Sequence, residues 1–255
     1  MATGSVLAGE PIAYYISRRW PKCRQPYYFE PSQFPGTKIL EDNFEAIRKE
    51  ILAFYGEKPE EFQPNFTPYA YREEGWRTLN LYSYYLRYAD NCAKLPVLDS
   101  IVRQIPGMSM TQIAVLKPRT HIKAHYGDTN GLIRSHLGIV VPAALPELGI
   151  RIHKEDHGWE EGKVFCICIA HRHFAWNDTD HHRIVLVVDT IRPDLFNRRY
   201  EVASNALGVI TMKFFATKFP VLKKMPRPLV GLIQAAFATV YRARLWAQRT
   251  FSVGA

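Results

Sequence analysis

The sequence predicts a mainly β fold, an antiparallel sandwich or barrel, with helices before and after the strands. Three observations carry this. Between residues 110 and 191 lie five short β-rich runs, MTQIAVLKP, GLIRSHLGIVVP, GIRIHK, GKVFCICIA and RIVLVVDTI, parted by Gly, Pro, Asn and Asp. Closely spaced runs of this kind build sandwiches and barrels. The strand–helix alternation of a parallel sheet is absent, as are GxGxxG and Walker-type loops, which sets nucleotide-binding α/β folds aside. Finally, 255 residues with 47% hydrophobic and 22% charged side chains suffice for one substantial core and do not fit a disordered chain.

In chain order, residues 1 to about 35 are rich in Pro, Tyr and Arg without clear periodicity and read as an irregular arm. LEDNFEAIRKEILAFYGEKP reads as a helix: Asp42 and Glu45 have capping-box spacing, and Gly56 sits at its stop. Phe44, Ile47, Ile51, Leu52 and Tyr55 form its apolar stripe. GWRTLNLYSYYL alternates like a strand, and PVLDSIVRQIPG reads as a short helix with Pro at its start and Gly beyond its end. The β-rich runs follow. Of the four cysteines, Cys23, Cys92, Cys166 and Cys168, the last two alternate within a strand-like run and so share a face; none forms a CxxC pair, and both read as small buried residues. The opening MATGSVLAGEPIAYY lacks a basic stretch followed by an apolar core, so a secretory signal is not expected and a reducing, cytoplasmic setting is.

The formal net charge of +9 is concentrated at one end. No acidic residue follows Glu201, whereas Lys213, Lys218, Lys223, Lys224, Arg227, Arg242, Arg244 and Arg249 do. The rest of the chain is close to neutral. A basic nucleic-acid-binding core is therefore not expected, and attraction to an anionic surface belongs to the tail.

All nine histidines lie between His121 and His182, inside the β-rich segment. Such clustering is what a metal site built on strands produces, and neutral imidazole suits iron, zinc and copper. Exposed loop histidines account for the remainder, His153, His157, His181 and His182 among them. Arg134 and His136 are two apart, so on one strand they share a face.

Four motifs in order, HYGDTNGLIRSHLGIVVP, WEEGKVF, HFAWND and RIVLVVDTIRPDL, resemble the aspartyl/asparaginyl β-hydroxylase family over about residues 69–195. The segment PYYFEPSQFPGTKILEDNFEAIRKEI resembles the family's lead-in. The resemblance implies a double-stranded β-helix of the jelly-roll, cupin-like kind. It implies a dioxygenase using Fe(II), 2-oxoglutarate and O2. It makes His125 and His173 the iron ligands and the catalytic centre. It gives Arg134 and His136 one end of 2-oxoglutarate and Arg183 the distal carboxylate, for which a guanidinium fork is the matching donor. His171 is a second candidate for the later ligand, since alternation puts it on the same face as His173. The carboxylate that usually completes such an iron site stands two residues after the first histidine; here that position is Gly127, and Asp128 is the nearest acid. The chain departs from the family at Ala114, where a hydroxyl is expected, and at CICIAHRH, where acidic residues are.

The resemblance divides the chain into residues 1–200, a dioxygenase domain with a helical lead-in, and residues 201–255, a basic and apolar extension of helical character. In that extension Leu229, Ile233, Ala236 and Val240 recur at helical spacing, with Phe237 and Tyr241 beside them. Its charge-free stretch from Pro228 to Tyr241 is shorter than the roughly 20 residues that span a bilayer. Packing on the barrel, contact with a second copy and contact with a membrane surface all stay open for it. The expected activity is hydroxylation of an unactivated C–H bond in a lipid-like, amino-acid-derived or natural-product substrate. A peptidyl aspartyl/asparaginyl β-hydroxylase, a halogenase using the vacant carboxylate position and a non-enzymatic binding protein are the alternatives.

Overall fold

The computed structural model describes residues 25–67 and 69–251. Cys23 and most of the expected N-terminal arm lie outside them. A short strand, β1 (Tyr28–Phe29), leads to helices α1 (Pro35–Asp42) and α2 (Phe44–Glu57) and to β2 (Gln63–Pro64). Then come β3 (Trp76–Ser83), β4 (Leu86–Arg87), α3 (Ala89–Lys94) and α4 (Pro96–Val102). The β-rich half contains β5 (Met108–Leu116), β6 (Thr120–His125), β7 (Leu132–Val140), β8 (Leu148–Ile152), β9 (Glu155–His157), β10 (Val164–Ile167), β11 (His173–Asn177) and β12 (Arg183–Ile191). Two long helices, α5 (Arg199–Lys218) and α6 (Arg227–Phe251), close the described chain.

The strands form two sheets. The larger runs β1-β10-β7-β12-β5-β3-β2, with β4 on β3; the smaller runs β6-β11-β8-β9. Every pairing between strands is antiparallel. Two antiparallel sheets face to face are the jelly roll, or double-stranded β-helix, expected for this chain.

Strand alternation divides the larger sheet into two apolar layers. On β12, Ile184, Leu186 and Val188 join a core with Ile47 and Ile51 of α2 and Leu98 and Val102 of α4. Val185 and Val187 face the other way, into a core with Ile150 and Ile152 of β8 and Ala175 of β11. Because the period is two, Arg183 and Asp189 share the inner face with Val185 and Val187. On β7 the same rule sends Ile133, Leu137 and Ile139 to the helices and leaves Arg134 and His136 inside.

Local signals hold in most places. The expected apolar stripe of α2 packs on the core through Phe44, Ile47, Ile51, Leu52 and Tyr55. Pro96 opens α4, where its missing N–H costs nothing. The capping box does not form: Asp42 ends α1 and pairs with Lys38, and the cap residue of α2 is Asn43, whose side chain donates back to the Ile39 carbonyl. β10 stops at Ile167, so Cys168 lies beyond the strand; Cys166 and Cys168 are both buried.

The C-terminal helices are packed onto the barrel. Val202, Ala203, Ala206 and Leu207 of α5 enter the inner core, together with Leu245 of α6. Helices α5 and α6 cross closely at Gly208, where a Cβ would stand 2.8 Å from the Gln234 carbonyl oxygen and 3.1 Å from the Ala238 nitrogen. Among the described residues no helix is long and apolar enough to cross a membrane.

Candidate active site

The site begins with a defect in the smaller sheet. Along β11 the step from Ala175 to His173 is two residues, but on β6 the partners are Ile122 and His125, three apart. This β-bulge shifts the phase of β6 by one residue. Ile122 points into the core, and His125, which strict alternation would turn outward, meets His173 instead. The two rings lie 4.3 Å apart between centroids.

Both rings are fixed by the backbone. His125 Nδ1 donates to the Lys123 carbonyl at 2.8 Å, and His173 Nδ1 donates to the His171 carbonyl at 2.8 Å. Each proton is thus held on Nδ1, and each Nε2 keeps its lone pair, the arrangement a metal requires of its histidines. Burial lowers the His173 pKa to about 4 and that of His125 well below the usual range, with His173 adding to the shift at His125, so both rings are neutral near pH 7. Among the described residues no third His, Cys, Asp or Glu completes a cluster with this pair. Gly127 explains part of that. Its N–H donates to the Ile169 carbonyl at 2.7 Å, and a Cβ there would stand 2.6 Å from the Ile169 side chain. Any side chain at 127 requires Ile169 to move. Asp128 is engaged elsewhere, in a 2.6 Å ion pair with Lys213 of α5.

Deeper in the barrel a cavity joins His125 and His173 to His136, Arg183 and Ala114. The Trp159 indole N–H donates to His136 Nδ1 at 3.2 Å. An indole is only a donor, so the His136 proton sits on Nε2, which is buried and has no partner among the described residues. Arg183 is 2% exposed, its Nε is buried without a partner among the described residues, and its guanidinium lies 4.8 Å from the Trp159 ring. Burial, with no acid among the described residues to oppose it, brings its pKa down to about 9. A buried cation without a counter-charge is costly. A carboxylate-bearing ligand would supply the missing charge for Arg183 and an acceptor for His136.

Arg134 differs from Arg183 although both were read as cosubstrate residues. Its Nε and one Nη reach both oxygens of Asp189 at 2.7 and 2.8 Å, and Asp189 is fully buried. The fork of Arg134 is committed to the protein. Burial works against this charge, but the Asp189 carboxylate outweighs it and raises the Arg134 pKa. Replacing Arg134 with Met strands a buried carboxylate and is expected to cost about 3–5 kcal/mol of stability. The double variant Arg134→Met/Asp189→Leu should recover most of that loss in urea unfolding. An Arg134→Met protein as stable as the parent would show that the pair is not coupled.

His171 lies apart from the rings it was read beside. It precedes β11, so strand alternation does not reach it. Its Nε2 is 2.8 Å from the Gln25 carbonyl oxygen, and its ring packs edge-on against Tyr27. Several residues of the site were not singled out from the sequence. Tyr69 stacks on His125 at 4.3 Å, Trp159 orients His136, Asp189 occupies Arg134, and Lys213 comes from outside the motifs. Asp189 had a signal: it is a lone carboxylate on an apolar strand, six residues after Arg183 and therefore on the same face. An outer cavity of about 310 Å³ opens from His125, His173 and Arg134 and is walled by apolar side chains, Phe66, Leu207 and Ile210 among them, and by polar ones, including Asn80, Gln112 and Lys213.

The buried imidazoles give a pH prediction. His173 has a folded pKa near 4 against about 6.5 unfolded, so between those values the unfolded chain binds more protons. Stability of the metal-free protein should therefore fall as pH drops through this window, by about 1.4 kcal/mol per pH unit for each such histidine. His136, whose pKa burial also lowers, adds in the same direction. Urea unfolding at pH 7 and pH 5 measures the slope, and His173→Asn should flatten it. An equal slope in the variant would contradict the assignment of His173 as a buried neutral ring.

The chain is 31% identical over 183 residues to the ornithine lipid ester-linked acyl 2-hydroxylase of Rhizobium tropici, covering 70% of this chain and 65% of that protein. It is 32% identical over 164 residues to the human aspartyl/asparaginyl β-hydroxylase, covering 62% of this chain and 21% of that one. The chain thus spans just under two thirds of the first relative and about a fifth of the second. Among solved structures, a Pseudomonas putida prolyl-4-hydroxylase aligns with 59% of this chain and 87% of its own at 16% identity and a TM-score of 0.41, too distant to bear on fold or activity. The sequence model of the aspartyl/asparaginyl β-hydroxylase family matches residues 41–193, a span that holds both anchored histidines, the Arg134–Asp189 pair and the lone buried Arg183. On that match, the chain belongs to the aspartyl/asparaginyl β-hydroxylase family.

Proposed function

We propose that the chain is an Fe(II)- and 2-oxoglutarate-dependent dioxygenase that hydroxylates an unactivated C–H bond of a lipid-like substrate. One observation carries the reading: Arg183, a buried guanidinium with no acid partner among the described residues, lines the same cavity as two neutral, backbone-anchored histidines. Iron, 2-oxoglutarate and O2, when bound, supply the oxidation, with one oxygen atom entering the C–H bond and the other the succinate left after loss of CO2. The chain's own work is binding, orientation and exclusion of water. His125 and His173 offer Nε2 to the metal. Arg183 meets the distal carboxylate, and His136 donates from Nε2 to an anionic oxygen nearer the metal. Arg134, held by Asp189, contributes positive charge and its remaining nitrogen rather than a free fork.

Two observations favour an apolar substrate. Phe66, Leu207 and Ile210 wall the outer cavity, and the Rhizobium relative carries an acyl hydroxylase name. In this reading residues 201–255 are an extension that completes the pocket of the domain formed by residues 1–200. The test is iron-dependent formation of succinate from 2-oxoglutarate, followed by a search of lipid extracts for a product one oxygen heavier. No succinate, together with no thermal stabilisation by 2-oxoglutarate and a divalent metal, would rule the reading out in favour of a binding protein.

A further inference from the structure

Helix α6 carries two apolar faces, and the described residues cover only one. Val230, Ala238 and Leu245 are buried, and Ile233, Phe237 and Tyr241 pack beside them towards α5 and the barrel. This divides the stripe read from the sequence, because Ile233 belongs to the covered side. Leu229, Leu232, Ala236 and Val240 recur every three or four residues on the opposite side and are exposed, Leu232 at 68%. At the turn between the helices Phe219 and Val221 are exposed as well, Val221 at 68%.

A line of aromatic rings runs from the outer cavity to this hairpin. Phe66, which lines the outer cavity, contacts Phe214 of α5 at 5.9 Å. From there Phe215 lies 5.8 Å from Phe214 and reaches Phe219 at 6.3 Å and Phe237 of α6 at 5.7 Å. Phe66, Phe214 and Phe219 are partly exposed along this path. Basic side chains border it: Lys218, 5.9 Å from the Phe214 ring, with Lys224, Arg242 and Arg244, all exposed. The one carboxylate on the hairpin, Glu201, pairs with Arg198 at the start of α5, and no acidic residue follows it to offset these charges.

We infer that the α5–α6 hairpin is an interfacial docking face for an anionic lipid bilayer. The apolar ridge would enter the headgroup boundary, Lys218, Lys224, Arg242 and Arg244 would meet lipid phosphates, and the cavity mouth at Phe66 would face the acyl chains. Charge complementarity selects this occupant. A second copy of the chain would bring a second set of uncompensated cations onto the first, whereas an anionic surface neutralises them. The docking deepens the hydroxylase reading by saying how a lipid would reach the pocket, but it is measured without turnover.

The full chain is sedimented with phosphatidylglycerol and phosphatidylcholine vesicles at low and high salt. Binding should be confined to phosphatidylglycerol and fall at least tenfold as salt rises. Each cation near the surface contributes roughly fivefold in affinity, so Lys218→Gln/Lys224→Gln should weaken binding by on the order of twentyfold. Leu232→Glu/Val240→Glu should abolish it while leaving far-UV circular dichroism and substrate-free 2-oxoglutarate turnover unchanged, since neither residue lines the site. Equal binding by this variant, binding to both lipids alike, or no binding by the parent chain overturns the proposal. So does a dimer in analytical ultracentrifugation that the Leu232→Glu/Val240→Glu change dissociates, which would assign the ridge to a second copy. Vesicle binding without any 2-oxoglutarate turnover would sink the hydroxylase reading and leave the docking face standing.

Discussion

Replacing Arg183 with methionine is expected to weaken 2-oxoglutarate binding by about thirtyfold or more and to make the ligand-free protein harder to unfold. The two effects have one cause. In the free protein the guanidinium is buried with no carboxylate partner among the described residues, and its own pKa is pulled down to about 9 by that burial. Methionine fills similar space without a charge, and removing an uncompensated buried charge should contribute about 1–3 kcal/mol of stability. In the complex the same charge is the partner of the ligand's carboxylate, and losing it should cost about 2–5 kcal/mol of binding. Calorimetric titration with 2-oxoglutarate and a redox-inert divalent metal measures the first effect, and urea unfolding of the metal-free protein the second. A variant that binds as the parent does would remove Arg183 from the site. A variant that is destabilised would show that the guanidinium has a counter-charge after all.

Loss of either anchored histidine should abolish metal binding and lower succinate formation at least about a thousandfold, a typical scale for removing a group on which the chemistry depends. His125→Ala and His173→Ala each remove one of two Nε2 donors, and among the described residues no third side chain stands ready to replace it. His171→Ala is the control. It removes a contact with the Gln25 carbonyl and the Tyr27 ring, so it should retain the metal and lose about 1 kcal/mol of stability or less. The absorption spectrum of the cobalt-loaded protein distinguishes these outcomes without requiring a substrate. Retention of cobalt by His173→Ala with loss in His171→Ala would exchange the two assignments.

The longer strands were legible because alternation is a local property. RIVLVVDTI and GLIRSHLGIVVP bury both faces, one against helices and one inside the barrel, so they read as nearly continuous apolar runs. Strands β6 and β11 were harder to see. THIKAH and HFAWN carry the site residues, and polar residues at a site erase the apolar signal of the strand that holds them. Helix α2 was legible from its stripe, whereas its start was not, because α1 ends where the capping box was expected to begin.

By itself the sequence determined an antiparallel sandwich or barrel, the clustering of histidines, the shared face of Arg134 and His136, and the basic, apolar character of the last fifty residues. These follow from spacing, period and composition, which belong to neighbours along the chain. Only the tertiary structure decided that a bulge turns His125 onto His173, that Asp189 occupies Arg134 while Arg183 has no acid partner, and that Lys213 reaches Asp128 beside the site. Those outcomes depend on pairing register and on which charges meet across 55 and 85 residues of chain. A one-residue shift in register changes the face on which every following side chain lies, and no local pattern encodes it.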